Sequence, residues 1–121
     1  MTELCPNAWL INFSNPSGII AQALLNYTDV KMMGLCNVPI NMKLSVEKKL
    51  GITDAEIEYV GLNHLSWITG IKKDGKDYLK DALVQGINSD AMKNIPSSGF
   101  DTELIQTVGA IPNSYLEYYY F

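Results

Sequence analysis

Two short apolar runs with a helical stretch between them constrain this chain more than any other feature in it. The first, "AWLINF" at 8–13, is almost wholly apolar, as expected of a strand buried in a parallel sheet. It ends in "SNPSG", a cluster of turn and capping residues. "SGIIAQALLNY" at 17–27 then carries apolar side chains at helical spacing, with Ser17 the expected N-cap. "VKMMGLC" at 30–36 is the second run, Pro39 in "NVP" forces a turn, and "INMKLSVEKKLG" predicts a helix stopped by Gly51. Strand, helix, strand, helix joined by short turns predicts a parallel sheet with helical crossovers.

The pattern changes after Gly51. "AEIEYVGLNHLSWITGIKKDGKDY" at 55–78 alternates as antiparallel strands do, and the Asp74-Gly75 pair favours a hairpin turn. "LKDALVQGI" and "DTELIQTVGA" predict helices, "NIPSSGFD" a loop, and "IPNSYLEYYYF" a further helical start. The fold class read from the residues is therefore α/β passing into α+β, with a boundary near residue 52. The chain opens almost directly into a buried-type strand and stops in "YYYF", so a piece of a longer protein is expected.

Charge narrows the functions. The net charge of -4 excludes a nucleic-acid surface, which needs clustered basic residues. All nine basic residues are lysines, so no guanidinium fork is available for a phosphate or carboxylate. No apolar run reaches membrane-span length, and Glu3 with no basic stretch before "CPNAWLINF" argues against a signal peptide. A cytoplasmic setting is expected, in which Cys5 and Cys36 do not form a structural disulfide.

Three polar clusters, "SNP" at 14–16, "CNVP" at 36–39 and "NH" at 63–64, are expected at the carboxyl ends of successive strands, where open α/β sheets place their ligands. His64 is the only histidine, and it stands 28 positions from Cys36. That is too far for a compact zinc-finger loop but compatible with two strand ends facing one pocket. By spacing alone the commoner alternatives stay open: a structural imidazole, a buried small thiol, and Asn15 as plain turn chemistry before Pro16. Tyr115, Tyr118 and Tyr119, at helical spacing, are core or interface residues in one reading. In the other, a tyrosine near a cation serves as a base.

Taken together, "AWLINFSNPSG", "VKMMGLCNVPINM", "VGLNHLSW" and "IPNSYLEYYYF" resemble the family 4 glycoside hydrolases, specifically the 6-phospho-β-glucosidases. The resemblance covers essentially the whole chain. It implies that residues 1–52 are the end of a Rossmann-type NAD-binding domain. Residues 53–121 would then begin an α+β catalytic domain similar to that of lactate and malate dehydrogenases. The Gly-rich phosphate loop is absent, so no cofactor-binding residue is assigned.

This family is an NAD-dependent exception to two-carboxylate glycoside hydrolysis. The implied reaction is oxidation at the sugar C3, deprotonation at C2, elimination of the aglycone, water addition and re-reduction. The implied substrate is a phosphorylated disaccharide or aryl β-glucoside, and the implied cofactors are NAD and a divalent metal, commonly manganese. Carried over by motif, Cys36 and His64 are the metal ligands and Tyr115 the C2 base. Asn15, Asn37 and Asn63 are substrate residues. Asn37 stands where related α-glucosidases show an Asp that can act as an acid, so an amide there implies the β-glycoside branch. Asn41, where Gly is usual, and Glu117, where Arg is common, depart from the family pattern. A homo-oligomer is expected, as is inactivity of the isolated chain. The rivals are a 2-hydroxyacid dehydrogenase, disfavoured by the missing Arg and by "NHLSW", and a non-catalytic metal-binding module.

Overall fold

A computed structural model describes residues 2–88 and 100–120, which form two compact units, Met1–Asn37 and Val38–Phe121. In the first, β1 (Trp9–Asn12) and β2 (Lys31–Gly34) pair in parallel, from Trp9 opposite Lys31 to Asn12 opposite Gly34, with α1 (Ser17–Tyr27) as the crossover between them. The parallel strand–helix–strand expectation is met. The expected burial is not: Trp9 and Ile11 are exposed, because the sheet has only two strands and α1 buries no residue fully.

Ser17 is not the N-cap. Extended Pro16 takes that place without a side-chain bond, and Ser17 is the first helical residue. Its hydroxyl instead accepts from Asn12 Nδ2 at 3.4 Å. The helix ends where Thr28 donates to the Leu24 carbonyl through both its backbone N–H and its hydroxyl, at 3.0 and 2.7 Å.

The second unit opens with α2 (Val38–Leu50). Val38, Met42 and Val46 recur every four residues, form one stripe and are buried, each contributing roughly 1.5–3 kcal/mol. Gly51, at φ 68, lets the chain turn out of α2 in a left-handed conformation. The buried Glu47 carboxylate accepts from the Ala55 N–H at 2.6 Å and pairs with Lys43, whose ammonium donates to the Ala55 carbonyl at 2.6 Å. These bonds tie α2 to the segment beyond residue 52, so in this structure α2 groups with the chain that follows it.

The remaining strands are antiparallel. β3 (Glu56–Leu62), β5 (Lys76–Asp77) and β6 (Ile111–Pro112) all pair with β4 (Leu65–Lys73). Opposite the step from Glu58 to Tyr59, β4 carries one extra residue, Thr69, between the partners Ile68 and Gly70. This bulge shifts the alternation, so Ile68 and Ile71, three apart, are both fully buried. They pack in a core with Ala82, Ile87, Ile105, Ile111 and Leu116.

The predicted helices are α3 (Leu79–Val84) and α4 (Thr102–Val108). Asp101 caps α4 by accepting from the Leu104 N–H at 2.7 Å. The loop expected over 94–101 lies, apart from Phe100 and Asp101, outside the described residues. The expected helical start after residue 111 is a short strand, then a 3₁₀ turn (Ser114–Leu116), then α5 (Glu117–Tyr120).

Candidate functional site

In the first unit the parallel register makes the chain leave β1 and β2 at the same end. The pairing continues one step further, with the Leu35 N–H donating to the Asn12 carbonyl at 2.9 Å. Asn15 lies in the exposed turn after β1, in a cis peptide with Pro16. Cys36, half-buried, and Asn37, exposed, follow β2. Asn15 and Cys36 therefore leave the carboxyl edge of one sheet together.

Asn12 organises that edge, which sequence reading missed. Its side chain is buried, accepts from the Ser14 hydroxyl at 2.7 Å and from the Ser14 N–H at 3.3 Å, and donates to the Ser14 carbonyl at 3.2 Å. The signal was present in "NFSNP", where an Asn closing an apolar strand two residues before a Ser can fold the turn back on itself.

The third cluster is not at the end of a parallel strand. Leu62 pairs with Leu65, so Asn63 and His64 form the two-residue tip of the β3–β4 hairpin, in a separate antiparallel sheet. The expectation that one open α/β sheet presents all three clusters is corrected here. The reason is local: residue 62 turns straight back onto its neighbour instead of entering a crossover helix. Gly61, at φ 119, admits this turn, since a Cβ there would run into the Leu65 carbonyl and the Ser66 backbone. His64 takes φ 65, which is uncommon for a residue with a side chain and costs on the order of 1 kcal/mol.

Asn63 is exposed at the tip and His64 is half-buried. The Tyr115 ring lies flat on the His64 imidazole, with centroids 3.9 Å apart and planes 7° from parallel. Tyr118 sits beside Tyr115 at 6.1 Å, tilted by 40°. The structure thus brings together His64 and Tyr115, two predicted site residues distant in sequence, and places Asn63 next to them. Asn15, Cys36 and Asn37 belong to the first unit.

Among the described residues, no three His, Cys, Asp or Glu side chains gather into a metal site. Cys36, in the first unit, and His64, in the second, are each a residue type that suits a divalent transition metal. Stacking does not conflict with ligation by His64: Tyr115 covers the face of the ring, whereas a ring nitrogen binds a metal in the ring plane, at its edge. The first unit carries no G-x-G-x-x-G between strand and helix, so this chain supplies no Gly-rich cradle for a dinucleotide.

The comparisons with known proteins agree with this architecture. The family 4 glycosyl hydrolase model matches residues 1–52, and the model of the family 4 glycosyl hydrolase C-terminal domain matches residues 59–121. The chain is 39% identical over 124 residues to a probable 6-phospho-β-glucosidase of Bacillus subtilis (strain 168), covering 98% of this chain and 28% of that protein. It superposes with TM-score 0.71 at 35% identity on the 6-phospho-β-glucosidase of Thermotoga maritima, solved with manganese, NAD+ and glucose-6-phosphate. That match covers 94% of this chain and 27% of the other. A 6-phospho-α-glucosidase from gut microorganisms, solved with NAD and Mn2+, superposes with TM-score 0.74 at 29% identity, over 99% of this chain and 31% of its own. The chain spans little more than a quarter of the length of the curated relatives it matches, 28% in the Bacillus case. From its hairpin of antiparallel strands to its two matched segments, the chain belongs to family 4 of the glycosyl hydrolases.

Proposed function

We propose that this chain is a segment of a 6-phospho-β-glucosidase that uses NAD and a divalent metal, manganese, to hydrolyse phosphorylated disaccharides or aryl β-glucosides. Family membership and the relatives' activities support the class of reaction. The observation that carries the reading to the residues is the flat contact between His64 and Tyr115, a ligand and a base by motif, joined from distant parts of the chain.

In this reading Cys36 and His64 hold the metal, which when bound stabilises negative charge on the sugar oxygens, while NAD provides the redox change at C3. Tyr115 accepts the proton from C2. Its ring lies parallel to the His64 imidazole with centroids 3.9 Å apart, which holds the two groups side by side. Asn15, held in the turn that Asn12 folds, orients the sugar hydroxyls, and Asn63 offers an amide beside His64. Asn37 has no proton to give as an acid at neutral pH, which favours β-glycosides over α-glycosides.

Residues 1–52 would be the end of the NAD-binding domain and 53–121 the start of the catalytic one, in keeping with the two matched segments. NAD phosphates and the substrate phosphate would then be bound by segments this chain does not contain, and the isolated chain would be inactive. No helix among the described residues is long and apolar enough to cross a membrane. A cytoplasmic homo-oligomer is the assembly proposed, with the exposed Tyr118, Tyr119 and Tyr120 as apolar surface for a neighbour.

The test is the full-length enzyme assayed on a 6-phospho-β-glucoside with NAD and manganese. Cys36→Ser and His64→Ala should each lower kcat/KM by more than about a hundredfold, beyond the range of outer-shell partners. Unchanged turnover in both variants would reject the metal assignment. Manganese binding without any NAD-dependent turnover would identify a non-catalytic module.

A further inference from the structure

Tyr115 has to reach the tip of a hairpin from a turn near the end of the chain, and one buried side chain joins the two. Asn113 is 1% exposed. Its backbone N–H donates to the Ser66 carbonyl at 2.9 Å, and its Nδ2 donates to the Ser66 hydroxyl at 3.3 Å. On its other side, Oδ1 accepts from the Tyr115 N–H at 3.0 Å, and its carbonyl accepts from the Leu116 N–H at 2.9 Å. Ser66 pairs with Gly61 across the hairpin whose tip carries His64. Between the hairpin and the Tyr115 backbone there is thus a short run of hydrogen bonds passing through one buried side chain.

We propose that Asn113 is a positioning residue for the proton-transfer step: it fixes the Tyr115 ring against His64 by anchoring the 3₁₀ turn to Ser66. The inference rests on the reading of Tyr115 as the base. The chemistry requires an amide or hydroxyl here. An N-cap acceptor two residues before Tyr115 satisfies an N–H that the short turn leaves unbonded, and an aliphatic side chain would leave that part-buried N–H without this partner. Neutrality matters as well, because a charge at a site this buried is costly. Asn supplies the acceptor and, through Nδ2, a second attachment to the hairpin.

The sole histidine makes the geometry directly measurable. Stacked under the Tyr115 face, the His64 ring protons should resonate upfield of an unstacked imidazole, and their NMR signals need no assignment against other histidines. In this 121-residue chain, Tyr115→Ala defines the signal position without stacking. Asn113→Ala should move the His64 signals most of the way to that position, while Asn113→Ser, which keeps a capping acceptor, should leave them near the wild-type position.

Wild-type shifts in Asn113→Ala, or full loss of the displacement in Asn113→Ser, would overturn the inference. If Asn113→Ala does not fold, the Ser variant decides by the same criterion. Manganese alone is the probe for the underlying reading: it should broaden the His64 signals equally in the wild type and in the Asn113 variants. Absence of broadening counts against the metal assignment, and the shift comparison still judges Asn113.

Discussion

The β4 strand is flanked by two hairpin turns of equal length that are put to different uses. Between Lys73 and Lys76 the chain turns on Asp74 and Gly75, with φ of 49 and 77, the pair of left-handed residues that two-residue hairpins favour. Between Leu62 and Leu65 it turns on Asn63 and His64, and the left-handed position is occupied by an imidazole. A glycine would sit there without strain. The first turn is filled by residues that suit the backbone, the second by a residue that does not, and the second carries the stacked tyrosine. Local strain of this kind persists where the surroundings hold it, here a glycine two residues before the tip and an aromatic ring against the imidazole.

Substitution at the supporting glycines should separate the two turns. Gly61→Ala is expected to have the largest effect, a loss of about 3 kcal/mol or more. The backbone angle there is accessible essentially to glycine alone, and the new methyl meets backbone atoms that cannot rotate away. Chemical denaturation measures it, and a loss below about 1 kcal/mol would show that the His64 hairpin can relax. Gly75→Ala should cost only about 1 kcal/mol, because the added methyl meets nothing and the left-handed backbone is the whole penalty. In the full-length enzyme Gly75→Ala should leave kcat/KM unchanged, and a drop would mean that the two hairpins are not independent.

The smallest effect is a pH dependence from the strand leading to the His64 turn. Tyr59 donates its phenol proton to the Pro39 carbonyl; burial, and secondarily the Glu47 charge, push its pKa up to about 12. Raising the pKa of an acid on folding means that the folded state holds the proton more tightly. The contribution is therefore complete below the ordinary tyrosine value of 10.0 and is lost as pH rises from there towards 12. Because the ring is partly exposed, solvent screening reduces the effect to about 1 kcal/mol. Tyr59→Phe should abolish this alkaline decline, measured by denaturation from pH 9 to 12. An unchanged slope would assign the decline to other groups.

Much of this arrangement was legible in particular residues. Gly51 ends α2, the Asp74-Gly75 pair marks a hairpin, and the apolar runs at 8–13 and 30–36 contain the parallel strands; Pro39, expected to turn the chain ahead of the helix, instead lies in its first turn. Ser17 misled because a capping residue type directly after a proline reads as a cap. Its hydroxyl had a nearer partner in Asn12, which no propensity reveals. His64 was read as closing a strand alongside the other two clusters because the same apolar run can precede a hairpin tip or a crossover. What distinguishes them is Gly61, whose positive φ is a property of the folded backbone.

The sequence by itself determined the element types, the change from parallel to antiparallel style, the absence of any guanidinium group and the family motifs that single out Cys36, His64 and Tyr115. These follow from periodicity, turn chemistry and residue identity, all of which are local. Only the tertiary structure decided that His64 sits in a strained hairpin tip, that Tyr115 lies flat on it, and that Asn113 and Ser66 bind the two together. Contacts between residues far apart in sequence depend on strand register and on which face each side chain takes, and a single bulged residue such as Thr69 is enough to change both.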